Sequence, residues 1–163
     1  MKTIFNLLLT AVFVTIIATS CSNTRTAAVA TRSNLVGNWT VSHVEIQGAD
    51  AASLKVTAFD DADLNCFEGS EWYFPNSGNG NYTISQSGCR PGERRIVRSH
   101  ELRNGATYLG FKHMDDLKNN QAKNIKEGYR LQVTSYEKDH FTAKSPISFE
   151  GRTIDIVYHF QRR

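Results

Sequence analysis

The stretch LVGNWTVSHVEIQ, residues 35 to 47, is the part of the chain that decides the fold. It opens with Gly37-Asn38-Trp39 and continues in residues that favour extended backbone, so it predicts the first strand of a sheet. The residues before it are small and polar, and those after it form short strand patterns separated by turn residues. We therefore expect one folded domain that runs from residue 35 to residue 163.

The final segment, RTIDIVYHFQRR (residues 152 to 163), has the clearest strand pattern in the chain. Large apolar residues occupy every second position and mostly polar residues lie between them, which makes one face of the strand apolar. These apolar residues are Ile154, Ile156, Tyr158 and Phe160. A weaker alternation in residues 129 to 136 places Tyr129 and Leu131 on a common face. We expect both sets to face the interior of the folded sheet.

Short strand segments and tight turns account for most of the remaining chain. Residues 70–74 and 81–85 flank a loop dense in turn residues, and residues 93–101 and 106–112 flank Asn104-Gly105, a strong hairpin signal. A further short strand is predicted at residues 141 to 144, which brings the total to about eight strands with short connections. Such strands favour an antiparallel meander, and closure into a barrel removes its exposed edges.

Two stretches do not fit a strand. Residues 49 to 63 contain helix-tolerant residues, and we expect either a short helix or a long loop that caps one end of the sheet. Residues 114 to 126 are polar and rich in Lys and Asn, which predicts an excursion on the surface. An outer-membrane barrel is disfavoured, because residues 93 to 101 place charged side chains on both faces of their strand and neither face suits lipid.

The N-terminal residues 1 to 20 have the layout of an export signal, with Lys2, an apolar run and small residues before Cys21. The apolar run is short for a membrane span, which needs about twenty residues. Ala18-Thr19-Ser20-Cys21 resembles the lipobox of bacterial lipoproteins, and this resemblance implies cleavage before Cys21 and acylation of that cysteine. The chain has three cysteines. Acylation of Cys21 leaves Cys66 and Cys89 to form a disulfide, which persists in an oxidising compartment.

Residues 21 to 34 are small and polar and show no apolar periodicity, so they predict a flexible tether. The tether has no acidic cluster, and no Asp follows Cys21 directly. By resemblance to bacterial lipoproteins, these features favour a lipid anchor in the outer membrane, with the domain facing the periplasm.

Gly37-Asn38-Trp39, about eight antiparallel strands and arginines at the end of the last strand together resemble a lipocalin. The resemblance implies an all-β, antiparallel eight-stranded lipocalin-like (calycin) barrel, preceded here by the cleaved lipoprotein signal peptide. It also implies that Gly37 and Trp39 plug the closed end of the barrel and that an arginine lies over the Trp39 ring. We expect Arg162 in that place, with Arg163 and Arg130 as alternatives. With the lipobox and the cysteine pair, the pattern resembles the lipocalin-like lipoproteins of bacteria over nearly the whole mature chain.

The charge pattern and the motifs argue against several functions. The formal net charge of +3 comes from bases scattered among acids, so no stripe for binding nucleic acid is predicted. The five histidines lack a metal-ligand spacing, and the acidic run at residues 60 to 63 lacks the pattern of a calcium loop. No nucleophile elbow or phosphate-binding loop occurs in the sequence. We therefore predict no catalytic residues, no metal site, no cofactor and no enzyme activity.

Two functions remain open. An eight-stranded barrel is wide enough either to hold one small ligand or to be filled by side chains. In the first hypothesis the protein carries a small apolar ligand in a pocket of at least about 300 Å³. The residues predicted to line this pocket are Tyr129, Leu131, Ile154, Ile156, Tyr158 and Phe160. In the second, a filled barrel is an interaction module that contacts envelope proteins or glycans through loops at 49–66 and 113–127. We expect a monomer in either case.

Overall fold

The computed structural model describes residues 30–49, 54–114 and 128–163. The predicted signal peptide, Cys21 and most of the tether and of the 114–126 excursion lie outside these residues. The described part contains ten strands, β1 (Gly37–Gln47), β2 (Thr57–Ala58), β3 (Ala62–Asp63), β4 (Glu71–Phe74), β5 (Asn79–Ile84), β6 (Gly92–Arg103), β7 (Ala106–His113), β8 (Tyr129–Tyr136), β9 (His140–Phe149) and β10 (Arg152–Arg162). A short 3-10 helix, Leu64–Phe67, follows β3. Among these residues no helix is long and apolar enough to cross a membrane.

Eight of the strands form a closed antiparallel barrel. Each of β4 to β10 pairs with its neighbour along the chain, and β1 pairs with both β4 and β10 to close the ring. The seam between β1 and β10 runs from Trp39 opposite Arg162 to Gln47 opposite Asp155. The predicted antiparallel eight-stranded barrel is confirmed, and closure leaves its strands without a free edge.

Two segments differ from the sequence-based expectation, and a third decides between two alternatives that the sequence left open. β9 covers His140–Phe149 and is longer than the predicted strand at 141–144, because β10 pairs with it along its whole length. Leu35 and Val36, expected in the first strand, lie in a turn before β1, and Leu35 is fully buried. The described part of the 49–63 stretch contains the strand pair β2 and β3 and no helix. Of the two expected alternatives, the structure therefore shows the capping loop.

Aromatic rings fill the interior that the described residues enclose. The Phe141 and Phe160 rings stack at 4.3 Å, and the Trp72 and Tyr82 rings stack at 4.4 Å. The largest side chains with almost no exposed surface are Trp39, Trp72, Tyr82, Tyr158, Phe67, Phe74, Phe111, Phe141 and Phe160. Except for Phe67, which lies in the 3-10 helix, these residues are on the inward-facing side of their strands, as the pleat of a barrel requires.

Two hairpins turn through the same backbone geometry. Between β6 and β7, Asn104 and Gly105 have φ values of 50° and 76°, and between β9 and β10, Glu150 and Gly151 have φ values of 48° and 74°. Two successive positive φ values match the type I′ turn that joins antiparallel strands with the correct twist. The hairpin predicted at Asn104-Gly105 is confirmed, and Glu150 adopts the same conformation without the residue type that favours it.

Candidate functional site

One end of the barrel is covered by residues 30–36, and we call it the Trp39 end. Trp39 is fully buried there, and its indole Nε1 donates a hydrogen bond of 3.1 Å to the carbonyl of Leu35. The guanidinium carbon of Arg162 lies 4.1 Å from the centre of the Trp39 ring. Gly37 has a φ of +135°, and a Cβ placed on it would lie 2.5 Å from Arg162 Nη1. The structure therefore brings Gly37, Trp39 and Arg162 together.

Three backbone carbonyls hold the Arg162 guanidinium over the ring. Its Nε donates to Lys138 (2.8 Å), its Nη1 to Val36 (3.0 Å) and its Nη2 to Asn34 (2.9 Å). The alternative arginines pair with carboxylates elsewhere. Arg163 Nη1 lies 2.6 Å from Glu71, and Arg130 Nη2 lies 3.5 Å from Glu101, so neither covers Trp39.

The opposite end of the barrel, which we call the Phe59 end, is covered by the segment 54–63. Phe59 lies in the turn between β2 and β3, and only 6% of it is exposed. Its ring centre lies 4.9 Å from that of Phe111, 5.1 Å from Phe67, 5.3 Å from Tyr158 and 5.4 Å from Tyr129. A loop residue therefore occupies a position surrounded by aromatic side chains of the barrel.

The backbone at this insertion is strained. Phe59 has a φ of 55° and Asp60 a φ of 49°, which places both in the left-handed region that bulky residues seldom adopt. The Tyr129 hydroxyl donates a hydrogen bond of 2.9 Å to the Asp60 carboxylate. Burial, together with this carboxylate, raises the pKa of Tyr129 well above its ordinary value, so the hydroxyl stays protonated and remains a donor.

Asp61 anchors the same turn to the barrel wall. Its carboxylate accepts hydrogen bonds from the Tyr82 hydroxyl (2.7 Å), from Arg94 Nε (2.8 Å) and from Arg90 Nη2 (2.9 Å). The Tyr82 hydroxyl also lies 2.8 Å from Nε2 of His113. Burial raises the pKa of the Asp61 carboxyl, but the hydrogen bonds from Tyr82 and Arg94 and the charge of Arg94 outweigh it. The pKa of Asp61 therefore lies below its ordinary value.

A disulfide joins Cys66 to Cys89, which confirms the predicted pairing. Cys66 lies in the 3-10 helix that follows the Phe59 segment, and Cys89 lies in the loop between β5 and β6. The bond therefore joins the 3-10 helix, which directly follows the covering segment 54–63, to the loop that carries Arg90 and leads into β6.

The residues predicted to line a ligand pocket lie in three places. Leu131, Ile156, Tyr158 and Phe160 belong to the central aromatic and aliphatic core. Tyr129 lies at the Phe59 end, where it contacts Phe59 and Asp60. Ile154 is buried at the rim of the barrel, next to Gly48.

The described surface of the barrel carries several grooves, one of about 430 Å³ beside Ala30 and two larger ones. Of the larger two, one of about 600 Å³ lies between β1 and residues 54–56, and the other, of about 630 Å³, is lined mainly by outward-facing residues of β6, β7 and β8. Tyr129 is the one predicted ligand residue that lines either of these two. The inserted Phe59 ring contacts two of the predicted ligand residues, Tyr129 and Tyr158.

Three residues that shape this site were not predicted from the sequence. Phe59 and Asp61 belong to the stretch predicted as a short helix or a capping loop, and Arg98 is one of the charges that argue against a lipid-facing strand. Arg98 lies on the interior face of β6 with 6% of its surface exposed. For Arg98 the sequence held one signal, the alternation of side chains along β6. This alternation places Arg98 on the same face of the strand as Ile96.

The structure also places Glu137, Asp139 and His140 together in the turn between β8 and β9. All three are exposed, and the His140 ring nitrogens lie 2.8 Å from Asp139 and 3.5 Å from Glu137. The hydrogen bond with His140 lowers the pKa of Asp139. These groups are paired with each other, and this geometry is that of an ordinary charged turn.

The described residues thus define a closed antiparallel β-barrel with a disulfide and a loop residue inserted at one end. No protein-family model, curated protein or solved structure matches this chain. The geometry and chemistry of its own residues therefore carry the functional argument.

Proposed function

We propose that this chain is a membrane-anchored, lipocalin-like lipoprotein that carries a small apolar ligand inside its barrel, at the periplasmic side of the outer membrane. In the unliganded protein, Phe59 takes the position of the ligand. The lipobox at Cys21 supports the anchor. The eight-stranded barrel and the contact between Trp39 and Arg162 support the lipocalin-like assignment.

The insertion of Phe59 is the observation that carries this proposal. A core residue of a barrel ordinarily comes from a strand, whereas Phe59 reaches the interior from a turn with two successive left-handed residues. The left-handed conformation costs about 1 kcal/mol or more at Phe59, whereas Asp60 adopts it at lower cost because its side chain is short and polar. A ligand that replaces the Phe59 ring in its aromatic surroundings allows this backbone to relax. Release of the backbone strain then offsets part of the free energy needed to displace the ring.

The interaction module is the second candidate, and the filled interior favours it. If Phe59 is a permanent part of the core, recognition falls to the segments at 49–66 and 113–127 that the sequence predicts as interaction loops. The two candidate functions predict different effects of removing the Phe59 ring on the binding of a small apolar molecule.

The test uses the chain from residue 22 onward, purified from the periplasm without detergent, because this chain contains every strand of the barrel. The probe is the neutral fluorophore N-phenyl-1-naphthylamine, whose binding quenches the emission of the neighbouring Trp72. We expect Phe59→Ala to bind the probe about tenfold or more tightly than the wild type, because the closed insertion reduces the apparent affinity. Tyr73→Ala, which removes an exposed aromatic residue on the outer face of β4, is the matched control and leaves binding unchanged.

A second variant separates ligand exchange from damage to the fold. Phe59→Leu keeps an apolar filler in the position and should bind the probe with an affinity between those of the wild type and Phe59→Ala. Circular dichroism of each variant checks that the barrel persists. Equal binding by the wild type, Phe59→Ala and Phe59→Leu overturns carriage and supports the filled interaction module.

The lipid anchor has its own test in the full-length protein. We expect metabolic labelling with palmitate to mark the wild type and not Cys21→Ser, and we expect membrane fractions to retain only the wild type after a high-salt wash. Labelling of both proteins, or of neither, contradicts acylation at Cys21.

A further inference from the structure

Arg98 presents a buried guanidinium on the interior face of β6. Its Nε donates a hydrogen bond of 3.2 Å to the carbonyl of Pro75, and its guanidinium carbon lies 5.8 Å from the centre of the Phe74 ring. Its Nη1 and Nη2 are buried and have no hydrogen-bond partner among the residues that the structure describes. Burial and the nearby charge of Arg32 lower the pKa of Arg98, so the protein surroundings disfavour its charge.

Two other arginines of the barrel have partners for their guanidinium nitrogens. Arg162 uses all three guanidinium nitrogens on backbone carbonyls, and Arg94 is paired with the Asp61 carboxylate. A buried charge without a partner is strongly unfavourable, and buried polar groups in native proteins nearly always find partners. Two parallel N–H donors on a planar guanidinium are the geometry that binds a carboxylate or a similar anion in bidentate fashion.

Arg98 and the inserted Phe59 ring are both neighbours of Phe111. Arg98 on β6 is the register partner of Phe111 on β7, and both residues lie on the interior face of their strands. The Phe111 ring in turn contacts Phe59 at 4.9 Å. A molecule that takes the place of Phe59 therefore lies against Phe111, and the Arg98 side chain extends from beside Phe111 toward Phe74 and Pro75.

We propose that the ligand of this barrel is an apolar molecule with one anionic group, and that Nη1 and Nη2 of Arg98 bind that group while the apolar body replaces the Phe59 ring. This inference rests on the proposed function, because it requires the interior to accept a ligand. It adds the chemical class of the ligand and the residue that selects for it.

The experiment compares two probes that share one aromatic skeleton. 8-Anilinonaphthalene-1-sulfonate carries an anionic sulfonate, and N-phenyl-1-naphthylamine lacks it. Both are titrated into Phe59→Ala and into the double variant Phe59→Ala/Arg98→Met, in which an apolar chain of similar length replaces the guanidinium. We expect the double variant to bind the anionic probe about tenfold or more weakly, because a buried charged hydrogen bond is lost. Its affinity for the neutral probe should change by less than about twofold. Arg103→Met, in which an exposed arginine at the end of β6 is replaced, is the control and changes neither.

Unfolding by denaturant gives an independent readout. Because Nη1 and Nη2 of Arg98 are buried with no partner in the described part of the chain, we expect Arg98→Met to unfold at the same denaturant concentration as the wild type or at a higher one. A purely structural arginine would make this variant less stable and would affect both probes alike, and that result overturns the inference. If neither probe binds Phe59→Ala, the proposed function itself fails. If the neutral probe binds and Arg98→Met leaves the anionic probe unaffected, only the role of Arg98 fails.

Discussion

The Arg162 guanidinium lies 4.1 Å above the centre of the Trp39 ring, and the two residues are direct partners in the register between β1 and β10. The contact therefore forms at the seam where the last strand meets the first. Because the pairing of β1 with β10 closes the barrel, this contact joins residues from the two ends of the domain. The strength of this contact bears on the stability of the whole fold.

Replacement of Arg162 is expected to be strongly destabilising. Arg162→Met removes the contact with Trp39 and leaves three backbone carbonyls without their donor, so we expect a loss of about 3 kcal/mol in the free energy of unfolding. The side chain of the neighbouring Arg163 forms an exposed ion pair with Glu71, so Arg163→Met should change this free energy by less than about 1 kcal/mol. Urea unfolding measures both, and equal effects of the two substitutions contradict the role given to Arg162.

Removal of the disulfide is expected to loosen the Phe59 end. Cys66 and Cys89 are separated by 23 positions in the sequence. In the chain-entropy model, the double variant Cys66→Ala/Cys89→Ala is about 3 kcal/mol less stable than the oxidised wild type. A reducing agent should lower the unfolding midpoint of the wild type and leave that of the double variant unchanged. A wild type that is insensitive to reduction contradicts this prediction.

Asp61 is expected to make stability depend on acid pH. The pKa of its carboxyl in the folded protein is lowered from 3.8, so its contribution is complete above that pH and is lost as the pH falls through the lower folded pKa. We expect Asp61→Asn to be less stable than the wild type by about 2 kcal/mol at pH 6, because it loses charged hydrogen bonds with Arg94 and Arg90. The difference between the two proteins should shrink below pH 3.8. Urea unfolding across this range checks it, and a difference that is constant with pH contradicts it.

The two matched hairpins allow a reciprocal exchange. Glu150 has a φ of 48° in a turn whose geometry equals that of Asn104, and asparagine tolerates this conformation better than glutamate. We expect Glu150→Asn to stabilise the protein by about 0.5–1 kcal/mol and Asn104→Glu to destabilise it by a similar amount. The Glu150 ion pair with Arg152 is long, at 3.9 Å, and exposed, so its loss has little effect. Thermal unfolding of both variants measures these changes, and shifts of the same sign in both contradict the assignment to backbone strain.

Much of the fold was predictable because its signals are local. Alternation along β10 predicted that Ile156, Tyr158 and Phe160 face the interior, since successive side chains of a strand point to opposite faces. The dipeptide Asn104-Gly105 predicted a hairpin, since both residues accept positive φ. The length of β9 was underestimated, because its second half depends on pairing with β10 and not on its own sequence.

The arrangement at the Phe59 end was not predictable in the same way. Nothing in the sequence around Phe59 shows that a turn residue enters the barrel, because most of the surrounding rings, those of Phe111, Tyr129 and Tyr158, come from strands far along the chain. The same holds for Asp61, whose partners Tyr82 and Arg94 are 21 and 33 positions away.

The sequence by itself determined that this chain is an all-β domain of antiparallel strands with a cysteine pair, because strand periodicity, turn residues and composition act over a few neighbouring positions. Only the tertiary structure decided which of the three candidate arginines covers Trp39, that Phe59 enters the interior and that the Arg98 terminal nitrogens lie buried with no partner among the described residues. These features depend on which distant side chains share a layer of the closed barrel. Strand register and closure set that proximity, and local sequence does not encode it.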